Sequence, residues 1–190
     1  MDLNMSTELV LLSFLQCRSC CDDEFTRELI SLDSDVKAAS LQFPQGLLDG
    51  DLQTDGNQYS RLGYRSNVPV EDTEADICIT IARRLAVMGD EIDSKIHQDV
   101  INNVVQILLD EDLSPEDKDL RFCAVIDNLA VSVPAGIELE KAKLLLAMIL
   151  ARKVSHCVPG LLRRVFWSTV DFINRHLPSS INHLARQDNV

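Results

Sequence analysis

Hydrophobic residues recur along this chain at the three- and four-residue spacing of an α-helix, in two groups separated by a stretch without any period. Residues 6–17 place Leu9, Leu12 and Leu15 on one side, with Ser6 in the N-cap position. Residues 22–33 place Phe25, Leu29 and Leu32 on one face behind Asp22 as a cap. From Ser34 to Val70 the pattern dissolves, and four of the seven glycines and two prolines fall there. A stretch this long without a sustained period is predicted to be a disordered or regulatory loop.

Order is expected again near Thr73, where Thr73-x-x-Asp76 resembles a capping box. The segment 73–94 carries Ile77, Ile81, Leu85, Met88 and Ile92 at spacings of 4, 4, 3 and 4, which sets all five on one helical face. A helix over 98–110 turns Val100, Val104, Ile107 and Leu108 inward. Ser114 caps the next, with Pro115 in its first position and Phe122, Val125, Ile126 and Leu129 as its buried face. The helix from about 137 to 154 differs, since "LLLAMILA" at 144–151 is apolar all round. Eight residues are far short of the ~20 needed to span a bilayer, so this segment reads as the buried centre of a bundle. Pro159 and Gly160 break the chain, and residues 161–177 supply a partner helix through Leu162, Phe166, Val170 and Ile173. A short terminal helix over 179–187 packs Ile181 and Leu184. The fold class is therefore all-α: about eight helices around a central hydrophobic hairpin at about 138–177, with a long disordered loop.

Composition agrees with that class. Hydrophobic residues are 46% and aromatics 5% of the 190, as expected of an aliphatic helical core. The net charge of −12 argues against a nucleic-acid partner. Its distribution is uneven: residues 1–55 carry 11 acidic and 3 basic side chains, whereas from Glu138 onward there are 4 acidic and 8 basic. Lys141, Lys143, Arg152, Lys153, Arg163 and Arg164 flank the apolar runs of the hairpin, as does Trp167. They are candidates for contact with anionic lipid headgroups, or for a simple solvated face.

The apolar run Leu9–Leu12 lacks a basic segment before it, so no secretory signal is read and the cytoplasm is expected. The six cysteines show no disulfide framework. Cys17-x-x-Cys20-Cys21 has no second pair, and the four histidines are scattered, so neither a metal site nor any cofactor is expected. No nucleophile–histidine pair or phosphate-binding loop appears, and no enzymatic activity is expected.

Two residues make the 73–94 helix unusual. Gly89 inside the helical pattern costs ~1 kcal/mol relative to alanine, which makes sense where another helix must approach closely. Asp90 follows it and sets a carboxylate beside the apolar face, able to pair with a cation at a groove rim. The run "ICITIARRLAVMGDEID" resembles the third homology motif of the Bcl-2 family of cell-death regulators, with Leu85, Gly89 and Asp90 matching its core and Ile77, Ile81, Met88 and Ile92 its other anchors. "LQTDGN", "SRLG", "LLLAMILARKVSH" and "VFWSTVDFIN" extend the resemblance, in order, to the family's death agonists. The Asn-Trp-Gly-Arg tetrapeptide of the anti-death relatives is absent.

The resemblance implies a dormant pro-apoptotic protein in which helices within 1–33 cover the homology helix, 34–70 is a regulatory loop, and 71–190 holds the bundle. It implies cleavage by a caspase-type protease at Leu52-Gln53-Thr54-Asp55, leaving Gly56 as a new terminus. Thr73-Glu74-Ala75-Asp76 is comparable to a second family processing pattern but departs from it at the first residue. The carboxy-terminal fragment would move to the mitochondrial outer membrane, engage pore-forming and anti-death Bcl-2 relatives, and promote cytochrome c release. Gly56 through Ser60 fits a myristoylation pattern once glycine is terminal. One such chain anchors marginally and needs the hairpin as a second signal. Two other readings stand beside this one: a constitutive all-α interaction adaptor whose 73–94 helix serves only its own core, and a bundle that perturbs membranes directly.

Overall fold

The structure, a computed structural model, describes residues 6–17, 23–40 and 74–187. Every regular element among them is helical: α1 (Thr7–Gln16), α2 (Asp23–Ser40), α3 (Glu74–Asp93), α4 (Gln98–Leu109), α5 (Pro115–Ala130), α6 (Leu139–Cys157), α7 (Leu162–His176) and α8 (Ser180–Gln187). A 3-10 turn at Pro159–Leu161 joins α6 to α7. The expected all-α bundle is thus observed. Asp22, the Thr73 cap and the stretch Leu52–Gly56 lie outside the described residues.

The centre of the bundle is α6. Residues 144–151 are buried on every side, and α1, α3, α4, α5, α7 and α8 all pack against the helix. With α7 it makes the expected hydrophobic hairpin. The helix runs on to Cys157, past the predicted end at 154, because Val154 and Ser155 are also buried and the Ser155 hydroxyl donates to the Ala151 carbonyl at 2.6 Å. The stop comes at Val158, where the following Pro159 disfavours helical backbone.

Two further boundaries and faces differ from the pattern. α2 continues to Ser40, beyond the loop start expected at Ser34. Val36 adds one more buried residue a turn beyond Leu32, and Lys37 pairs with Asp33 at 2.8 Å across the same turn. α1 was expected to bury only one side, yet Val10, Leu11 and Phe14 are buried beside Leu12 and Leu15, while Leu9 is half-buried. It packs on both α3 and α7, so two of its faces need apolar cover. In α4, Ile101 takes the core position predicted for Val100, which is half-buried. The caps follow expectation: the Ser6 hydroxyl accepts from the Leu9 amide at 3.4 Å, and Ser114 accepts from the Asp117 amide at 3.1 Å.

Candidate functional site

α3 is the helix that carries the homology pattern, and its anchors face inward. Ile81, Leu85 and Ile92 are buried, Ile77 and Met88 are half-buried, and Cys78, Ala82 and Ala86 complete the stripe. Burial, then the charge of Glu74, push the Cys78 thiol up to about 11, so it behaves as a small apolar side chain. The opposite face is exposed, including Arg83, Arg84 and Val87, the last with 69% of its surface accessible. Asp90 also lies on the exposed side.

At Gly89 the central helix comes close. A Cβ built there would sit 3.2 Å from Ile149 Cδ1 and 3.4 Å from Ile149 Cγ1, with Phe14 Cζ at 4.0 Å. The close approach anticipated at this glycine is therefore made by α6 from below and α1 from the side. α1 packs on α3 more extensively than any other helix does. Thr7 ties α1 in turn to α7, its hydroxyl donating to Asn174 Oδ1 at 2.6 Å.

The carboxy-terminal end of α3 is clamped by an ion pair that the sequence pattern did not single out. Asp93 Oδ1 accepts from Arg152 Nη2 at 3.1 Å, and Asp93 Oδ2 meets Lys153 Nζ at 3.0 Å. Burial tends to raise the Asp93 carboxyl, but the hydrogen bonds and charges of Lys153 and Arg152 outweigh it and hold the group below the usual carboxylate value. Arg152 is only 6% exposed. Its guanidinium carbon lies 5.2 Å above the Phe14 ring, and Nη1 meets no hydrogen-bond acceptor among the described residues. One arginine thus joins the end of α3, the centre of α6 and the cover helix α1. Adjacent Arg152 and Lys153 at the end of an apolar helix were the available hint that a counter-charge must be close.

The other basic candidates are engaged within the fold. Lys143 pairs with Asp127 at 2.7 Å, Arg163 with Asp35 at 2.6 Å, and Arg164 donates to the Leu108 carbonyl at 3.2 Å. Lys141 lines a cleft of about 410 Å³ with Ile81, Leu85, Met88 and Leu184. Trp167 is 40% exposed, edge-on to Phe166. No helix among the described residues is long and apolar enough to cross a membrane.

A family described as BH3 interacting domain (BID) matches residues 2–187. A Gallus gallus protein named "BH3-interacting domain death agonist" is 37% identical over 182 residues, covering 94% of this chain and 92% of its own length. A Mus musculus protein of the same name is 34% identical over 183 residues, covering 96% and 91%. With its homology helix sheathed by α1 and seated on α6, the chain belongs to the BH3 interacting domain family.

Proposed function

We propose that this chain is a latent pro-apoptotic regulator acting by binding, whose α3 engages the grooves of Bcl-2-type proteins once its cover is released. The observation that carries the proposal is the inward orientation of Ile81, Leu85 and Ile92 beneath α1. Each such side chain gains about 1.5–3 kcal/mol by burial, so exposing the three together costs an amount comparable with the 5–15 kcal/mol stability of a whole domain. Spontaneous presentation of α3 is therefore rare, and activation must alter what covers it. Cleavage after Asp55 by a caspase-type protease does so by turning α1 and α2 into a separate chain. The fragment beginning at Gly56 then targets the mitochondrial outer membrane, with the modified terminus and the basic flanks of the hairpin contacting anionic lipid. There α3 exchanges its own core for the groove of a pore-forming or anti-death relative. The intact protein resides in the cytoplasm.

The decisive experiment treats the intact chain with an apoptotic caspase, sequences the new terminus, and tests the product on isolated mitochondria. A terminus at Gly56 and release of cytochrome c only after cleavage are expected. Survival of the Asp55–Gly56 bond would overturn the activation step. A peptide of residues 73–96 without affinity for any Bcl-2-type groove would instead favour an adaptor whose α3 serves only its own core.

A further inference from the structure

Away from α3, three side chains of different chemistry converge at the outer edge of the hairpin. Asp119 and Cys123 stand one turn apart on α5, and His176 ends α7 opposite them. One ligand atom from each lies within 4.8 Å of the others. Cys123 Sγ is 3.2 Å from His176 Nε2, and that nitrogen is 3.7 Å from Asp119 Oδ2. A tetrahedral zinc ion with bonds of about 2.0–2.3 Å separates its ligand atoms by roughly 3.4–3.6 Å. The two observed separations bracket that edge, and the third, between Cys123 and the Asp119 carboxylate, is no more than 4.8 Å.

We propose that Asp119, Cys123 and His176 form a binding site for a zinc-class divalent ion that fastens α5 to the end of α7, with water as the fourth ligand. The sulfur, imidazole and carboxylate donors suit zinc and disfavour magnesium or calcium, which require oxygen ligands. The imidazole is already oriented by an aromatic ladder that crosses the same two helices. His176 lies 5.1 Å from Phe172, which meets Phe122 of α5 edge-on at 5.8 Å. Binding forms a metal–sulfur bond, breaks the S–H bond and sends the thiol proton to solvent. His176 contributes the Nε2 lone pair and keeps its proton on Nδ1.

Two features oppose the ion and set its affinity. Arg175 Nη1 lies 3.4 Å from Asp119 Oδ2, but that long contact to an exposed guanidinium is weak and easily exchanged. Burial, then the charges of Asp119 and Asp127, push the Cys123 thiol up to about 11, with Lys143 acting in the opposite sense. A bound cation reverses that balance, because its charge favours the thiolate. Neither helix pattern foreshadows the site, since it joins residues 53 positions apart. Only the Asp119-x-x-x-Cys123 spacing, which places two donors on one face, is legible in the chain.

The test titrates the full-length, reduced, metal-free protein with Co²⁺, then displaces it with Zn²⁺. One equivalent of tetrahedral cobalt with a thiolate charge-transfer band is expected, together with a zinc-dependent rise of several degrees in Tm. Cys123→Ser and His176→Gln should each abolish the Tm rise and weaken zinc by at least about tenfold, the lower bound for losing even a supporting group at a metal site. His176 is exposed, so its substitution leaves the fold intact even if Cys123→Ser does not. A variant with Cys17, Cys20 and Cys21 all changed to Ser should keep the band. Absence of bound cobalt, or a band that disappears with that triple variant and survives Cys123→Ser, would overturn the site.

Discussion

α3 and α6 touch each other at Gly89 and Ile149, yet they are buried in different ways. α6 is enclosed on all sides through residues 144–151. α3 buries one stripe and leaves Ile79, Arg83, Arg84 and Val87 on the surface. A helix enclosed all round has no aqueous alternative to its present packing. A helix with one buried stripe can exchange that packing for any groove that offers equivalent apolar contact. The bundle therefore separates a permanent core from a removable ligand, and stores the ligand by packing it on the core.

The largest expected effect is a charge placed in the permanent core. Leu146→Asp buries a carboxylate where nothing can pair with it, at a cost of several kcal/mol that rivals the stability of the domain. Loss of the cooperative thermal transition is expected. Val87→Asp, on the exposed face of α3, should stay within about 0.5 kcal/mol of the parent in urea denaturation. Equal losses in the two variants would erase the distinction between the helices.

Leu85→Ala sharpens the comparison from the side of the removable helix. Its side chain is fully buried, so the folded protein should lose about 2–5 kcal/mol by denaturant unfolding. The same change in a 73–96 peptide should weaken binding to a Bcl-2-type groove, read by fluorescence anisotropy. A peptide that binds as before would mean that the stripe used inside the bundle is not the stripe used outside it.

Much of this was legible before the fold was known. The apolar period of α3, the unbroken apolar run of α6 and the caps Ser6 and Ser114 are local signals, and the structure repeats them. Gly89 was legible as a close approach, but not that Ile149 and Phe14 make it, because residues 14, 89 and 149 share no sequence neighbourhood. The extra turns of α2 and α6 were missed for a related reason. Val36 and Ser155 are held by tertiary burial, which overrides the weak local preferences that suggested earlier ends. The Asp93 clamp depends on α3 lying along α6, so no spacing within one helix announces it. The basic residues of the hairpin read as flanks of its apolar runs, and the fold sends Lys143 to Asp127, Arg163 to Asp35, and Arg152 and Lys153 to Asp93.

The clamp gives a smaller and pH-dependent effect. Asp93→Asn leaves the charge of Arg152 buried without its carboxylate partner. Since Asp93 itself is partly exposed, the loss should be about 1–2 kcal/mol, short of the 3–5 expected for a fully buried pair. The folded protein holds the Asp93 carboxyl below its ordinary value of 3.8. A depressed carboxylate adds stability that is complete above the unfolded value and disappears as pH falls through the folded one. The gap between parent and variant should therefore be constant near neutrality and close below pH 3.8. A gap that widens on acidification would assign the clamp to some other titrating group. Pairing Asp93→Asn with Arg152→Met should recover most of the loss, because the stranded charge is then gone.

The smallest effect falls at the contact between the two helices. Gly89→Ala gains up to about 1 kcal/mol of helix propensity. Against this, the new methyl would stand 3.2 Å from Ile149 Cδ1, the tip of a flexible side chain that must shift by a few tenths of an ångström. The two terms are similar in size, so the folded protein should change by less than about 1 kcal/mol in either direction. A larger side chain has no such compensation: Gly89→Leu would drive three more carbons into Ile149 and Phe14 and separate α3 from α6. The informative quantity is the ratio of effects inside and outside the bundle. If Gly89→Ala leaves the unfolding midpoint nearly unchanged but sharply weakens the 73–96 peptide for a Bcl-2-type groove, the glycine is set by the partner's tighter fit. If both respond equally, α6 presents α3 with a surface as confining as the groove for which it stands in.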